Sequence, residues 1–214
     1  MNKSFILGAA FTAICFSMVA LDMTSSNLVA IAIAEELKVG AKAPDFSLND
    51  LSGNKRSLSE FAGKIVVLEW FNAGCPFVKK HYESGNMQKL QSEFRSKDVV
   101  WLSVNSSAKD KQGHATPELH LAKQKEWKSE PTAFLIDESG EVGKAYGAKT
   151  TPHIFIVNKE GKVAYMGAID DKPSVEQEDI ATSKNYISSA LDELLAGKEV
   201  SINETRAYGC GVKY

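Results

Sequence analysis

Between residues 43 and 195 the apolar positions change period from segment to segment, and each period predicts an element. Ala43-Pro44-Asp45-Phe46-Ser47-Leu48 alternates and runs into Leu51-Ser52-Gly53-Asn54, a small hairpin with its turn. Ser57 to Phe61 reads as a short helical turn stopped at Gly63. Ile65-Val66-Val67-Leu68-Glu69-Trp70-Phe71 is almost continuously apolar, as expected of a central strand buried on both faces. Pro76 stands where a helix begins, and Val78, Tyr82, Met87, Leu90 and Phe94 give a core stripe along one helix running to about Phe94. Val99-Val100-Trp101-Leu102-Ser103-Val104 is a second buried strand, followed by a polar loop from Asn105 to Gly113. Thr116-Pro117-Glu118 combines a capping hydroxyl, a proline and an acid in the first turn, and opens a helix to about Trp127. A strand over Pro131 to Ile136 and a turn with a short helix over Glu138 to Tyr146 come next. Two strands, His153 to Val157 and Lys162 to Met166, flank Asn158-Lys159-Glu160-Gly161 as a hairpin. A helix over about Val175 to Leu195 follows, and Gly197 to Tyr214 shows no clear period.

The resulting order is hairpin, βαβα, an inserted strand and helix, then ββα. Strands alternating with helices predict an α/β fold with parallel strands in a central mixed sheet, and the late hairpin adds an antiparallel edge.

Residues 1–34 follow another pattern. Met1-Asn2-Lys3 is a short positive start, Phe5 to Leu21 is apolar except for Thr12 and Ser17, and Ala32 and Ala34 precede Glu35-Glu36. This suits a secretory signal cleaved after Ala34 or Ala32; the alternative is an uncleaved anchor, although the run is short for a membrane span. Either way the domain is expected outside the cytoplasm, most naturally in the periplasm. The expected organisation is 1–34 signal or anchor, 35–197 folded domain and 198–214 C-terminal tail.

Composition narrows the function. The formal charge is −2, with basic and acidic residues interspersed, so there is no field for nucleic acid. The three cysteines, Cys15, Cys75 and Cys210, are too few for a disulfide-built miniprotein and too far apart for a zinc site of paired cysteines. The histidines show no metal spacing, so neither metal nor cofactor is expected, and lone histidines such as His81, His114 and His120 read as surface residues. Asp170-Asp171 reads as a solvated turn, and Tyr208 and Tyr214 as residues that pack the tail.

Ala43-Pro44-Asp45-Phe46, the strand ending in Glu69-Trp70-Phe71, Gly74-Cys75-Pro76 at a helix start, Thr150-Thr151-Pro152 before a strand and Asn158-Lys159-Glu160-Gly161 together resemble the thioredoxin-like redoxin family. That family contains alkyl-hydroperoxide-reductase-like and exported thiol–disulfide proteins. The resemblance spans roughly Val39 to Leu195 and implies a thioredoxin-like fold. It also implies that Pro152 is cis and lies beside the reactive cysteine, with the Thr151 backbone free to pair with an extended substrate. It further implies that Glu69 is a buried acid handling thiol protons, although a strand-end glutamate reaching water is the other reading.

Cys75 is the candidate nucleophile. It stands just before the first turn of a helix, where unpaired N–H groups and the helix dipole favour thiolate; Lys79 and Lys80, one turn on, would add to this if they point back. Trp70, Asn72, Pro76 and His153 are the candidates for lining the substrate site. The chain departs from the family in two ways. Val78 stands where a thioredoxin has its second cysteine. Asn72 and Leu68 replace residues of the peroxide-activating set, leaving Asn72 as a possible hydrogen-bond donor to peroxide. Cys75 and Cys210 are the two cysteines left after export, so Cys210 is expected to be either the resolving partner of Cys75 or half of a permanent staple, worth about 3–5 kcal/mol. The expected reaction is thiol–disulfide exchange with protein thiols or disulfides. The alternatives are a thiol peroxidase acting on hydroperoxides, and a binding module without catalysis; the electron donor is open. Membrane contact is expected only if the N-terminal segment stays uncleaved.

Overall fold

A computed structural model describes Met1 and residues 36–214, so the expected signal or anchor, and Cys15 within it, lie outside the described residues. Among the described residues no helix is long and apolar enough to cross a membrane.

The strands are β1 (Ser47–Asp50), β2 (Lys55–Ser57), β3 (Val66–Trp70), β4 (Val100–Asn105), β5 (Ala133–Ile136), β6 (Thr150–Thr151), β7 (His153–Val157), β8 (Val163–Gly167) and β9 (Cys210–Gly211). The helices are α1 (Pro76–Glu83), α2 (Asn86–Arg95), α3 (Pro117–Trp127), α4 (Glu141–Tyr146) and α5 (Tyr186–Leu195). Seven strands form one sheet in the order β2-β1-β5-β4-β3-β7-β8. The β3, β4 and β5 strands are parallel neighbours, whereas β1 and β7 add to them antiparallel, which gives the mixed sheet that the order of elements predicts.

Strand alternation sorts the central residues onto two faces. Val67, Phe71, Trp101, Ile154 and Ile156 pack with Val78, Tyr82, Met87 and Phe94 from α1 and α2 and with Ile187 and Leu191 from α5. Val66, Leu68, Trp70, Leu102 and Phe155 pack on the other face with Phe46, Leu58 and Tyr146. This two-sided burial explains why β3 and β4 are apolar almost without interruption.

The helix expected from Pro76 to Phe94 is two helices. Gly85 lies between them at φ 79°, a conformation that glycine adopts without a Cβ penalty, and the chain turns there into α2. The helix expected from Val175 to Leu195 is also interrupted: a 3₁₀ segment covers Gln177–Thr182, and α5 starts afresh where the Asn185 side chain accepts from the Ser188 N–H. Thr116 caps α3 through the Leu119 N–H, with Pro117 in the first turn, as its sequence signature predicts.

Candidate functional site

The site lies where β3 ends and α1 begins. Asn72 shapes the connecting loop: its Oδ1 accepts from the Gly74 N–H at 2.8 Å, its carbonyl accepts from the Cys75 N–H at 3.0 Å, and its amide donates to Gln112 Oε1 at 3.0 Å. Pro76 is the first residue of α1, so Cys75 becomes its N-cap, with extended backbone at φ −83°, ψ 123°. The Cys75 thiol makes no cap hydrogen bond. It donates instead to the carbonyl of Thr151 at 2.9 Å, and it is fully buried.

Thr151 precedes a cis peptide bond to Pro152. The short strand β6 that carries it pairs antiparallel with β9 from the tail, Thr150 opposite Gly211 and Thr151 opposite Cys210. The two cysteines, 135 positions apart in sequence, are thereby neighbours, both as free thiols. Cys210 is pushed up to about 11, first by burial and then by its hydrogen bond and proximity to Cys75, with Lys213 working the other way.

The tail is tied on both sides of Cys210. Upstream, Thr205 Oγ1 bonds the Tyr165 hydroxyl at 2.7 Å and accepts from the Ala168 N–H at 2.9 Å. The Tyr208 hydroxyl donates to Asp170 Oδ1 and lies 3.2 Å from His81 Nε2, while its ring meets Phe77 edge-on. Downstream, Val212 N–H donates to the Lys149 carbonyl, Ala108 N–H donates to the Lys213 carbonyl, and the Tyr214 hydroxyl donates to the Ala148 carbonyl. Tyr208 and Tyr214 therefore pack the tail onto the domain.

The structure thus brings Cys75, Pro76, Thr151, Pro152 and Cys210 together. Glu69 is fully buried and not solvent-reaching: Oε1 accepts from the Tyr82 hydroxyl at 2.7 Å, and Oε2 accepts from Trp101 Nε1 at 2.9 Å and the Ser103 hydroxyl at 3.1 Å. Burial raises its carboxyl above the ordinary range, and the three donors pull the other way. Its hydrogen bonds go to these donors and not to Cys75.

Two expected substrate contacts lie on the other face of the sheet. Trp70 points to the opposite face of the sheet, where it is fully buried and donates to Ser106 Oγ at 3.0 Å; strand alternation after Glu69 sends it there. His153, paired with Trp70 across β3 and β7, shares that face; its Nδ1 accepts from the Lys149 N–H at 3.3 Å, and burial lowers it to about 4. Asn72 stays in the loop before Cys75, where its amide donates to Gln112 Oε1 at 3.0 Å and to the Gln112 carbonyl at 3.3 Å.

Nor do the charges near α1 behave as expected. Lys79 is exposed. Lys80 is buried and turns to the Lys172 carbonyl at 2.8 Å, with Asp170 Oδ2 3.6 Å away. Asp170 is therefore a buried partner and not a solvated turn residue, and His81 and His120 are buried and not on the surface. The Lys80–Asp170–Tyr208–His81 cluster was missed in the sequence; the one signal for it was Tyr208, an aromatic residue in an otherwise unpatterned tail. Among the described residues no group of three or more His, Cys, Asp or Glu side chains is placed to hold a metal ion.

Comparison with known proteins agrees with this architecture. Residues 39–166 match the model of the AhpC/TSA family. The thiol-disulfide oxidoreductase ResA of Bacillus thuringiensis subsp. konkukian is 32% identical over 129 residues, covering 60% of this chain and 69% of that protein. A crystal structure of an uncharacterized conserved protein from Geobacillus kaustophilus superposes with a TM-score of 0.72 at 28% identity, over 84% of this chain and 94% of that one. The thioredoxin domain of a thiol-disulfide oxidoreductase from Bacteroides vulgatus gives 0.50 at 25% identity, over 69% and 97%. The chain has the thioredoxin-like fold and belongs to the AhpC/TSA family.

Proposed function

We propose that this protein is an exported thiol–disulfide oxidoreductase whose redox couple is Cys75 and Cys210. The observation that carries this reading is the pairing of Thr151 with Cys210 beside the helix-start cysteine, which sets both sulfurs at one place. The ResA-like relatives support the reaction class. In the reaction, Cys75 attacks as the thiolate on one sulfur of a substrate disulfide R–S–S–R′, its proton passing to the departing R′S⁻. A Cys75–S–S–R bond forms and R′S⁻ leaves. Cys210, also deprotonated, attacks the Cys75 sulfur and releases RS⁻. The substrate gains two electrons, the protein gains the Cys75–Cys210 disulfide, and an external dithiol returns it to the reduced state.

The test compares wild type, Cys75→Ser and Cys210→Ser in insulin-disulfide reduction and in hydroperoxide consumption, with one reductant throughout. Wild type is expected to reduce insulin disulfides, Cys75→Ser to lose the activity, and Cys210→Ser to accumulate a mixed disulfide on Cys75. A midpoint well above about −300 mV is expected for the internal disulfide, because structural bridges lie below that value. A bridge below it, with no exchange in any variant, would leave a staple. The full burial of Cys75 favours a second reading, in which a small hydroperoxide oxidises it to sulfenic acid and Cys210 condenses with that, releasing water. Peroxide consumption without insulin reduction would select it.

A further inference from the structure

In the reduced protein, the Thr150–Thr151 edge is already filled. The residues opposite it, Cys210 and Gly211, run antiparallel and present a cysteine to Cys75, which is the geometry an extended substrate would need. Gly209 makes that approach possible. Its φ is +138°, and a Cβ built there would land on the Thr151 carbonyl oxygen and 3.2 Å from Pro152 Cδ. Thr205 and Tyr208 hold the segment from one side, and Val212, Lys213 and Tyr214 from the other. Beside it a groove of about 550 Å³, lined in part by Thr150, Tyr186, Arg206 and Tyr208, adjoins the same edge.

We propose that Tyr208–Gly211 is a built-in substrate strand: it occupies the edge at which an extended, cysteine-bearing polypeptide pairs, and it must leave before such a disulfide reaches Cys75. The strap then returns to resolve the mixed disulfide through Cys210. Its Gly-Cys sequence also sets the specificity of the edge, because a residue with a side chain before the cysteine meets the Thr151 carbonyl in this conformation. The favoured external partner is an extended segment with glycine before its cysteine. This inference rests on the thiol–disulfide reading above.

The test uses the full chain in a Cys210→Ser background, so that internal resolution is absent. The probes are an extended peptide carrying Gly-Cys activated as a 2-pyridyl disulfide, the same peptide with Ala-Cys, and hydroxyethyl disulfide as a small reagent. Gly209→Ala is added to expel the strap. Leu121→Ala, at an exposed position on α3 with no part in the strap, serves as the control. Modification of Cys75 is followed by mass spectrometry. Gly209→Ala is expected to speed modification by the Gly-Cys peptide at least tenfold, with Leu121→Ala unchanged and the Ala-Cys peptide slower than Gly-Cys in the opened variant. Equal rates with and without Gly209→Ala, while hydroxyethyl disulfide still modifies Cys75, would overturn the strap and leave the thiol–disulfide reading standing. A Cys75 inert to all three reagents in every variant would overturn both.

Discussion

At the scale of single residues, the two sulfurs are unequal. Cys75 is fully buried and donates to a backbone carbonyl, whereas Cys210 is half-buried and held up at about 11 by burial and by its neighbour. A group with a raised value stays protonated until pH approaches that value. In the reduced protein at pH 8, Cys210 therefore holds its proton much more firmly than an ordinary thiol near 8.5. Iodoacetamide labelling of Cys210, followed by mass spectrometry in Cys75→Ser and wild type, is expected to rise about tenfold per pH unit from pH 8 to 10 in wild type. In Cys75→Ser the curve should move to lower pH, because the neighbouring thiol is gone. A wild-type curve levelling near pH 9 would mean that burial and Cys75 do not raise the Cys210 thiol. The sequence pointed to both cysteines and to the Thr151–Pro152 pair by residue type and order alone. It also marked Glu69 as the one acid in an apolar strand. It did not show what neutralises the cost of that acid, because Tyr82, Trp101 and Ser103 lie 13, 32 and 34 positions away.

At the scale of elements, the strands were legible and the helix ends less so. Strand burial on both faces imprints a continuous apolar run, and hairpins carry their turn residues with them. The break at Ser84-Gly85 left the apolar stripe in phase, so Val78 to Phe94 read as one helix although the backbone turns between α1 and α2. The tail had no readable period because β9 is two residues long and its position is fixed by β6 and by the polar cluster around Asp170, all distant in sequence. Gly85 offers a clean measurement of what such a break requires. Nothing lies within 4 Å of a Cβ added there, so Gly85→Ala meets only the left-handed backbone at φ +79°. It is expected to lower unfolding stability by about 1–2 kcal/mol, read from the urea midpoint at unchanged m-value. A neutral result would mean that α1 and α2 can merge at no cost.

At the scale of the whole molecule, buried histidines on three separate elements set the response to acid. His81 on α1 meets Asp170, which favours its charge, and Lys80, which opposes it. His120 on α3 packs against the Phe134 ring and is opposed by His114. His153 on β7 is opposed by Lys149. Burial dominates in each, and all three are held down to about 4. In the unfolded chain they titrate near 6.5, so between those values the unfolded state binds more protons than the native state. Stability is therefore fully present above about pH 6.5 and is lost as pH falls towards 4. Glu69 acts in the opposite sense, because its raised value makes the native state hold a proton longer than the unfolded chain does, and stability declines with rising pH across its window. Three groups against one decide the slope on the acid side: the urea midpoint at pH 5 is expected below that at pH 7. His120 isolates one share of the effect, since its Nε2 has no hydrogen-bond partner among the described residues and its ring already lies on an aromatic one. His120→Phe should therefore keep the packing, raise the midpoint at pH 5 more than at pH 7, and leave oxidation of Cys75 unchanged. Identical midpoints for wild type at the two pH values would mean that these imidazoles are not held neutral by the fold.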